Sequence, residues 1–368
     1  MDVVIIGGGV VGCATALWLR RRGIGVRVLE KSVPGAEASS AAAGMLSAQV
    51  HAEPDSPTLE LALRAAGLHA RLADELRETT GLDVGYRRTG ALDVTFDDAR
   101  GEALHRRVRW QANRGLRAEW ADADGVRALE PSVAPTACAG AFFPDDAQVD
   151  SPVFARAISL AARAAGAEFV SGDPVRRIVV ERGRAVAVET QRARHDAGTV
   201  VLAAGAWSSL VDGAGLQPGS VRPARGQIVE LRAPTKILRR VLWSDRGYVV
   251  PKSDGRVICG STIEDAGYEK AVTAEGVRSI LQNAIDLVPD LARAEVSATW
   301  SGFRPVTDDA LPLIGRGRFE GLVLATGHFT SGILLAPATA EAVAAIVIGE
   351  RTPVDVSAFD PRRLERAS

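Results

Sequence analysis

Apolar residues recur along this chain in two periods, and their order predicts its elements. Val3 to Ile6 is a continuous apolar run, the pattern of a strand buried on both faces, and Val26 to Leu29 reads as a second strand ending at Glu30. A helix to about Arg22 is predicted between them. Leu59, Leu61, Leu63, Ala66, Leu68, Leu72 and Leu76 give residues 57–80 a helical period, and residues 103–115 carry another. Residues 85–97 alternate as a strand does, and Ala139 to Phe143 is a further short strand. The helical period returns from Val153 through Ala164, and strands follow near Val175 to Val180, Ala185 to Glu189 and Val200 to Ala204.

Residues 221–263 then hold several alternating strands, GQIVELRA, RGYVVPKSDG and GRVICGST, with a hairpin turn at Ser253, Asp254 and Gly255. A helix through Ile280, Ala284 and Leu287 precedes a strand near Glu295 to Gly302. The chain closes with a strand at Leu322 to Ala325, a glycine-bounded loop and a helix from about Leu334. This order predicts an α/β fold in which a Rossmann-like nucleotide domain is joined to a second, mostly antiparallel sheet domain. The expected boundaries are 1–84, 146–216 and 305–368 for the first and 85–145 and 217–304 for the second.

The first strand and helix carry chemistry. Gly7, Gly9 and Gly12 stand at GxGxxG spacing, with a strand before, a helix after and an acid, Glu30, at the end of the next strand. Gly7 permits a tight turn, Gly9 lets backbone approach a pyrophosphate, and Gly12 lets the helix pack closely on the strand. The helix start, with Val10 and Val11, presents unpaired N–H groups and a positive dipole end to phosphates. Glu30 can accept hydrogen bonds from both ribose hydroxyls, and its charge disfavours a 2′-phosphate, hence NADP.

Composition narrows the class without naming the reaction. The 368 residues are enough for two domains, and 46% hydrophobic with 24% charged content is that of an ordinary globular protein. A net charge of −1 gives no general attraction for nucleic acid or anionic membrane. Cys13, Cys138 and Cys259 form no zinc spacing and suit a reducing compartment. The apolar region from Leu322 to Ile348 is broken by Gly327, His328, Gly332 and Pro337, so it reads as strand, loop and buried helix instead of a membrane span. With a core strand beginning at Val3, no secretory leader is expected, and the cytoplasm is the default location. A homo-oligomer stays open.

Four further segments decide the reading: SSAAAGML (Ser39 to Leu46), VVLAAGAWSS (Val200 to Ser209), FRPVTDDALPLIG (Phe303 to Gly315) and ATGHFTSGILLAPATA (Ala325 to Ala340). Together they resemble the FAD-dependent amine and D-amino-acid oxidase family, within it the glycine oxidases of the thiamine-biosynthesis type, over nearly the whole chain. The resemblance implies a glutathione-reductase-type FAD site with flavin beneath an eight-stranded sheet. It also implies oxidation of a small amino acid, with oxygen as the expected acceptor. Gly7, Gly9, Gly12 and Glu30 match the ADP-binding positions, and Val10, Val11 and Lys31 go with them. Ser39, Ala43, Gly44, Met45 and Leu46 match the segment along pyrophosphate and flavin, and Val175 matches a backbone contact to adenine. Ala204, Gly205 and Trp207 belong to the same cofactor set. Gly327, His328, Ser331, Gly332, Ile333 and Leu334 match the loop and helix start at the flavin N1–C2=O edge.

The same resemblance assigns Arg304 to the substrate carboxylate and Tyr248 to closing the pocket; the alternative for Tyr248 is a core aromatic beneath the sheet. His328 is either a polar group tuning the flavin or a histidine satisfied by its surroundings. Glycine oxidases commonly have an arginine in the last loop, in a pattern like GHYRNG. Thr330 stands there in this chain, which leaves a somewhat different amine open as substrate. Sarcosine oxidases attach flavin to a cysteine near the position of Gly302, so FAD is expected to be noncovalent here. The alternatives are an N-methyl amino acid oxidase or a D-amino acid dehydrogenase with a non-oxygen acceptor. An NAD-linked dehydrogenase explains neither AAAGML nor GHFTSGILLAP, and a flavoprotein without turnover is a third class.

Overall fold

A computed structural model describes residues 1–233 and 237–367; residues 234–236 and Ser368, which fall in the two expected domains, lie outside the described residues. Strand β1 (Val3–Ile6) runs parallel to both β2 (Val26–Glu30) and Thr199–Leu202. The sheet extends through parallel Glu168–Ser171 on one side and Leu322–Thr326 on the other, and Leu313–Arg316 closes that edge antiparallel. Alternate residues of these strands face two different cores. Val3, Ile5, Val26, Val28, Val201 and Val323 pack with helices, whereas Val4, Ile6, Leu29, Val200, Leu202 and Leu324 pack on the other side with Ile178, Ala185 and Val188. That second cover is a three-stranded antiparallel sheet, Val175–Glu181, Arg184–Thr190 and Arg194–Asp196. Burial on both faces is why β1 reads as an unbroken apolar run.

Four helices cover the first face: α1 (Val10–Arg20), Leu59–Thr80, Ser151–Ala164 and Gly332–Ile348. The last is long and apolar enough, counted from Phe329, to cross a membrane by length and composition. In this fold 67% of its most apolar stretch is buried inside the protein, against α1 and Leu59–Thr80.

The second sheet has eight strands in the order Glu295–Val306, Arg222–Arg232, Arg256–Gly260, Gly247–Pro251, Val241–Ser244, Ala91–Thr95, Ala139–Phe143 and Glu119–Asp122. All neighbours are antiparallel except Val241–Ser244 with Ala91–Thr95. One face packs on the helix Ala274–Leu287 through Val229, Leu231, Val249 and Val257. The other presents Ile228, Tyr248 and Ile258 to Ala43 and Val50 of the first domain's chain segment. The functional cavity lies on that side.

Several elements differ from their sequence expectation. The strand expected over 85–97 is confined to Ala91–Thr95, because Gly90 turns at φ +75° and Asp97 caps the next helix by accepting from Arg100 N–H. The helix expected over 103–115 accordingly begins at Asp98. The small-residue segment after β2 contains a short helix, Ala38–Ala41, and a two-residue strand, Met45–Leu46. The strand Glu295–Val306 runs two residues past the expected boundary at 304.

Candidate active site

A cavity of about 600 Å³ runs from the glycine loop after β1 to the inner face of the eight-stranded sheet. At its nucleotide end, Gly7 turns at φ +105°, and a Cβ there would lie 2.4 Å from the Ala203 carbonyl oxygen. Gly9 is the N-cap of α1, and Val10 N–H donates to Ser39 Oγ at 2.9 Å. A Cβ at Gly9 would meet only that Oγ, at 3.3 Å, so the space above the loop is open to the cavity. Glu30 lines the wall and also braces the loop: one carboxylate oxygen accepts from Gly8 N–H at 2.8 Å and the other from Ser32 N–H at 2.9 Å.

Lys31 follows, its ammonium 3.3 Å from the Trp207 ring centroid and paired with Glu37 at 3.1 Å. Burial opposes ionisation of Glu37, yet hydrogen bonds from Lys270 and Lys31 hold its pKa below the usual value. Trp207 in turn packs against Tyr268 and edge-on to Phe303. Val175, Ala204 and Gly205 complete this end of the wall, with Val11 beside them.

The middle of the cavity is bounded by Ser39, Ala43, Gly44 and Met45, and the far side by His328, Ser331, Gly332, Ile333 and Leu334. The N-terminus of Gly332–Ile348 therefore opens onto the cavity and brings its positive dipole end there. Thr330 is an exposed residue of the same wall. Three of the residues expected along the cofactor do not line it. Gly12 sits beneath Gly7, and Gly327 makes a turn at φ +75°. Leu46 alternates away from Met45 into the helical core, where it is 1% exposed.

Under the sheet, the Arg304 guanidinium lies over Gly226, donating from Nη1 to the Thr262 carbonyl at 3.1 Å and from Nη2 to Ser261 Oγ at 2.7 Å. These bonds take two of its five N–H groups, and the Tyr248 hydroxyl is a further hydrogen-bonding neighbour. Among the described residues no carboxylate lies within ion-pair distance of it, whereas neighbouring Arg225 is paired with Glu264. Tyr248 is 9% exposed, lies over Gly260 and places its hydroxyl beside Arg304 and Ser261. Burial raises its pKa while the Arg304 charge pulls the other way, so it is a neutral hydrogen-bonding phenol.

Sequence reasoning passed over Ser261, Gly226 and two rings, Trp243 and His51, which line the cavity beside Tyr248. None belongs to a recognisable motif. It also passed over Lys252, whose buried ammonium donates to the Ala43 carbonyl (2.7 Å), the Val149 carbonyl (2.8 Å) and Gln148 Oε1 (3.3 Å). Burial pulls its pKa down to about 8, and the contacts tie the sheet domain to the Ala43–Gly44 wall.

A family model described as FAD dependent oxidoreductase matches residues 2–346 of this chain. The chain belongs to the FAD-dependent oxidoreductase family. It is 38% identical over 368 residues to a glycine oxidase of Geobacillus kaustophilus (strain HTA426), which spans 98% of this chain and 97% of that protein. The crystal structure of glycine oxidase from Geobacillus kaustophilus aligns with a TM-score of 0.93 at 36% identity, over 98% of this chain and 97% of that one. The bifunctional protein ThiO/ThiG of Trichormus variabilis (strain ATCC 29413 / PCC 7937) is 35% identical over 99% of this chain but 55% of its own length. The chain thus spans about half of that relative.

Membership of this family makes FAD the cofactor and removes the NAD-linked alternative. The residues present fit it. Gly9, Gly205 and Gly332 all line the cavity, and at Gly205 nothing lies within 4 Å of where a side chain would begin. No cysteine borders the cavity among the described residues, and a Cβ at Gly302 would lie 2.6 Å from Ala41 Cβ, so the position of a flavin-linking cysteine is closed. Cys13, beneath the glycine loop, is inert: burial pushes its thiol up to about 12.

His328 is 4% exposed, with Nε2 3.1 Å from Thr339 Oγ1, and burial lowers its pKa to about 4. His69, under Leu334, is lowered equally, while burial raises Asp146 from 3.8 to about 8. These shifts set a stability profile. Between about pH 4 and 6.5 the unfolded chain binds two histidine protons that the folded protein refuses, and Asp146 retains one that the unfolded chain has released. Two less one leaves one, so these three groups make stability rise with pH by about 1.4 kcal/mol per unit, and the downward shifts of His51 and His195 add to the rise. From 6.5 to 8 Asp146 acts alone and stability falls with a similar slope. Between pH 4 and 8 the Tm is expected to pass through a maximum near pH 6.5, and Asp146→Asn to remove the alkaline fall while steepening the acid-side rise to about 2.7 kcal/mol per unit; a wild-type Tm still rising from 6.5 to 8 would contradict this.

Proposed function

We propose that this chain oxidises a small amino acid, glycine or a close relative, to an imino acid that water hydrolyses to ammonia and a 2-oxo acid, with oxygen reduced to peroxide. The observation that carries the reading is Arg304, a half-buried guanidinium that lines the cavity, is held by neutral groups and has no acidic partner among the described residues. A cation in that setting is stabilised by an anionic ligand, and its fork matches a carboxylate. Bound FAD supplies the acceptor for the hydride leaving the α-carbon. Arg304 holds the carboxylate, which fixes where the α-carbon and amine lie. Tyr248, neutral and adjacent, donates a further hydrogen bond and closes the sheet side of the pocket. Ile228, Met45 and Ile333 make the surrounding wall apolar, which excludes water and strengthens the charged contact.

His328 serves as a neutral polar group at the helix N-terminus. Three free cysteines support a reducing compartment, the cytoplasm. Thr330, at an open part of the rim, favours a substrate with an N-methyl group as the second reading, since it leaves room and no charge where glycine oxidases have arginine.

An anaerobic screen tests this directly. Glycine, sarcosine and a panel of D-amino acids are mixed with the yellow enzyme, and at least one small amino acid is expected to bleach the flavin within seconds. Oxygen consumption compared with dye reduction then assigns the acceptor. Flavin that no small amino acid bleaches would exclude the reading.

A further inference from the structure

Among the described residues the Arg304 fork is held by neutral groups alone. Its guanidinium lies so close to Gly226 that a Cβ there would come within 1.9 Å of Nη1. The Thr262 carbonyl that receives Nη1 is fixed from behind, because Gln227 N–H donates to Thr262 Oγ1 at 2.9 Å. Gln227 also bonds Glu264, which pairs with the buried Arg225. Nη2 donates to Ser261 Oγ, which lines the cavity, and the Tyr248 hydroxyl hydrogen-bonds with both side chains. Without the Ser261 hydroxyl the guanidinium keeps its hold on Thr262 but loses the bond at Nη2, and the Tyr248 hydroxyl loses the neighbour that aligns it with Arg304.

We propose that Ser261 is a positioning residue: its hydroxyl fixes the rotation of the Arg304 guanidinium and aligns Tyr248 with it, so that both meet the same carboxylate. This rests on the carboxylate-binding reading of Arg304. Its hydroxyl has one proton and two lone pairs, enough to accept from Arg304 while bonding Tyr248. A fork free to rotate presents two N–H groups in register only part of the time, and carboxylate binding weakens accordingly.

The test uses the FAD-loaded enzyme, with acetate as probe, read by its perturbation of the flavin spectrum. In Ser261→Ala the acetate Kd and the KM of the best amino acid are expected to rise together by about tenfold, with kcat, Tm and flavin content nearly unchanged. Ser261→Thr, which keeps the hydroxyl, restores both toward wild type. A structural role alone would shift Tm and flavin content instead. If Arg304→Ala abolishes acetate binding while Ser261→Ala leaves it intact, the Ser261 proposal is overturned and the reading of Arg304 stands. If acetate binds both variants as it binds wild type, the assignment of Arg304 itself fails.

Discussion

Replacing Arg304 with alanine is expected to lower kcat/KM for the best amino acid by a hundredfold or more. The guanidinium lines the cavity and has N–H groups beyond the two bonded to Thr262 and Ser261, and a carboxylate takes two as charge-assisted bonds. Bonds to charged groups in a partly desolvated site contribute about 1.5–3 kcal/mol each, and removing the fork also leaves the bound carboxylate unpaired. A combined loss of about 3 kcal/mol or more is therefore expected, which is on the order of a hundredfold or greater. Part should appear in KM, because the carboxylate is held before and during reaction. Part should appear in kcat, because a carboxylate without its anchor no longer fixes the α-carbon. Arg304→Lys keeps a charge but loses the fork and should fall between. Steady-state kinetics on the three proteins decide it, with flavin content as the control; equal kcat/KM in Arg304→Ala and wild type would remove the residue from the site.

How far this site was legible depended on whether a residue's role is written in local pattern. The glycine loop and Glu30 were legible because strand, turn, helix and acid follow within thirty residues, and each part has its own sequence signal. Leu46 misled for the opposite reason. Its segment borders the cavity, but a strand alternates, so Met45 lines the wall while Leu46 enters the core. Strand Val241–Ser244 escaped notice because four residues are too few to show a period, yet it makes the one parallel pair in its sheet and brings Trp243 to the cavity. Ser261 follows the strand Arg256–Gly260, 43 residues before Arg304 and two strands away in the sheet, and Gly226 is on the strand between them, so only the sheet order brings the three together. Lys252 is one of four lysines, and only the packing of both domains reveals that it is buried and bonded across them.

The glycine loop itself yields the second large effect: Gly12→Ala is expected to give protein that retains little or no FAD. A Cβ at position 12 would stand 2.0 Å from the Gly7 carbonyl oxygen, an impossible separation. The clash cannot be relieved by a side-chain rotation, because the obstacle is backbone. Gly7 has little room to retreat: it already turns at φ +105°, and the Ala203 carbonyl oxygen lies 2.4 Å from where a Cβ on it would stand. So α1 must shift away from β1, which pulls Val10 N–H and the open face above Gly9 out of line with a pyrophosphate. Overpacking of this kind costs about 1–3 kcal/mol in stability, so a folded but colourless protein with a lowered Tm is expected. The same chemical change at Gly67, exposed in the helix Leu59–Thr80 with nothing within 4 Å, should instead stabilise by up to about 1 kcal/mol. The ratio of flavin to protein absorbance after purification, with Tm on both variants, separates a steric effect at the loop from a general intolerance of alanine. Full flavin content in Gly12→Ala would mean that helix and strand can part without disturbing the nucleotide site.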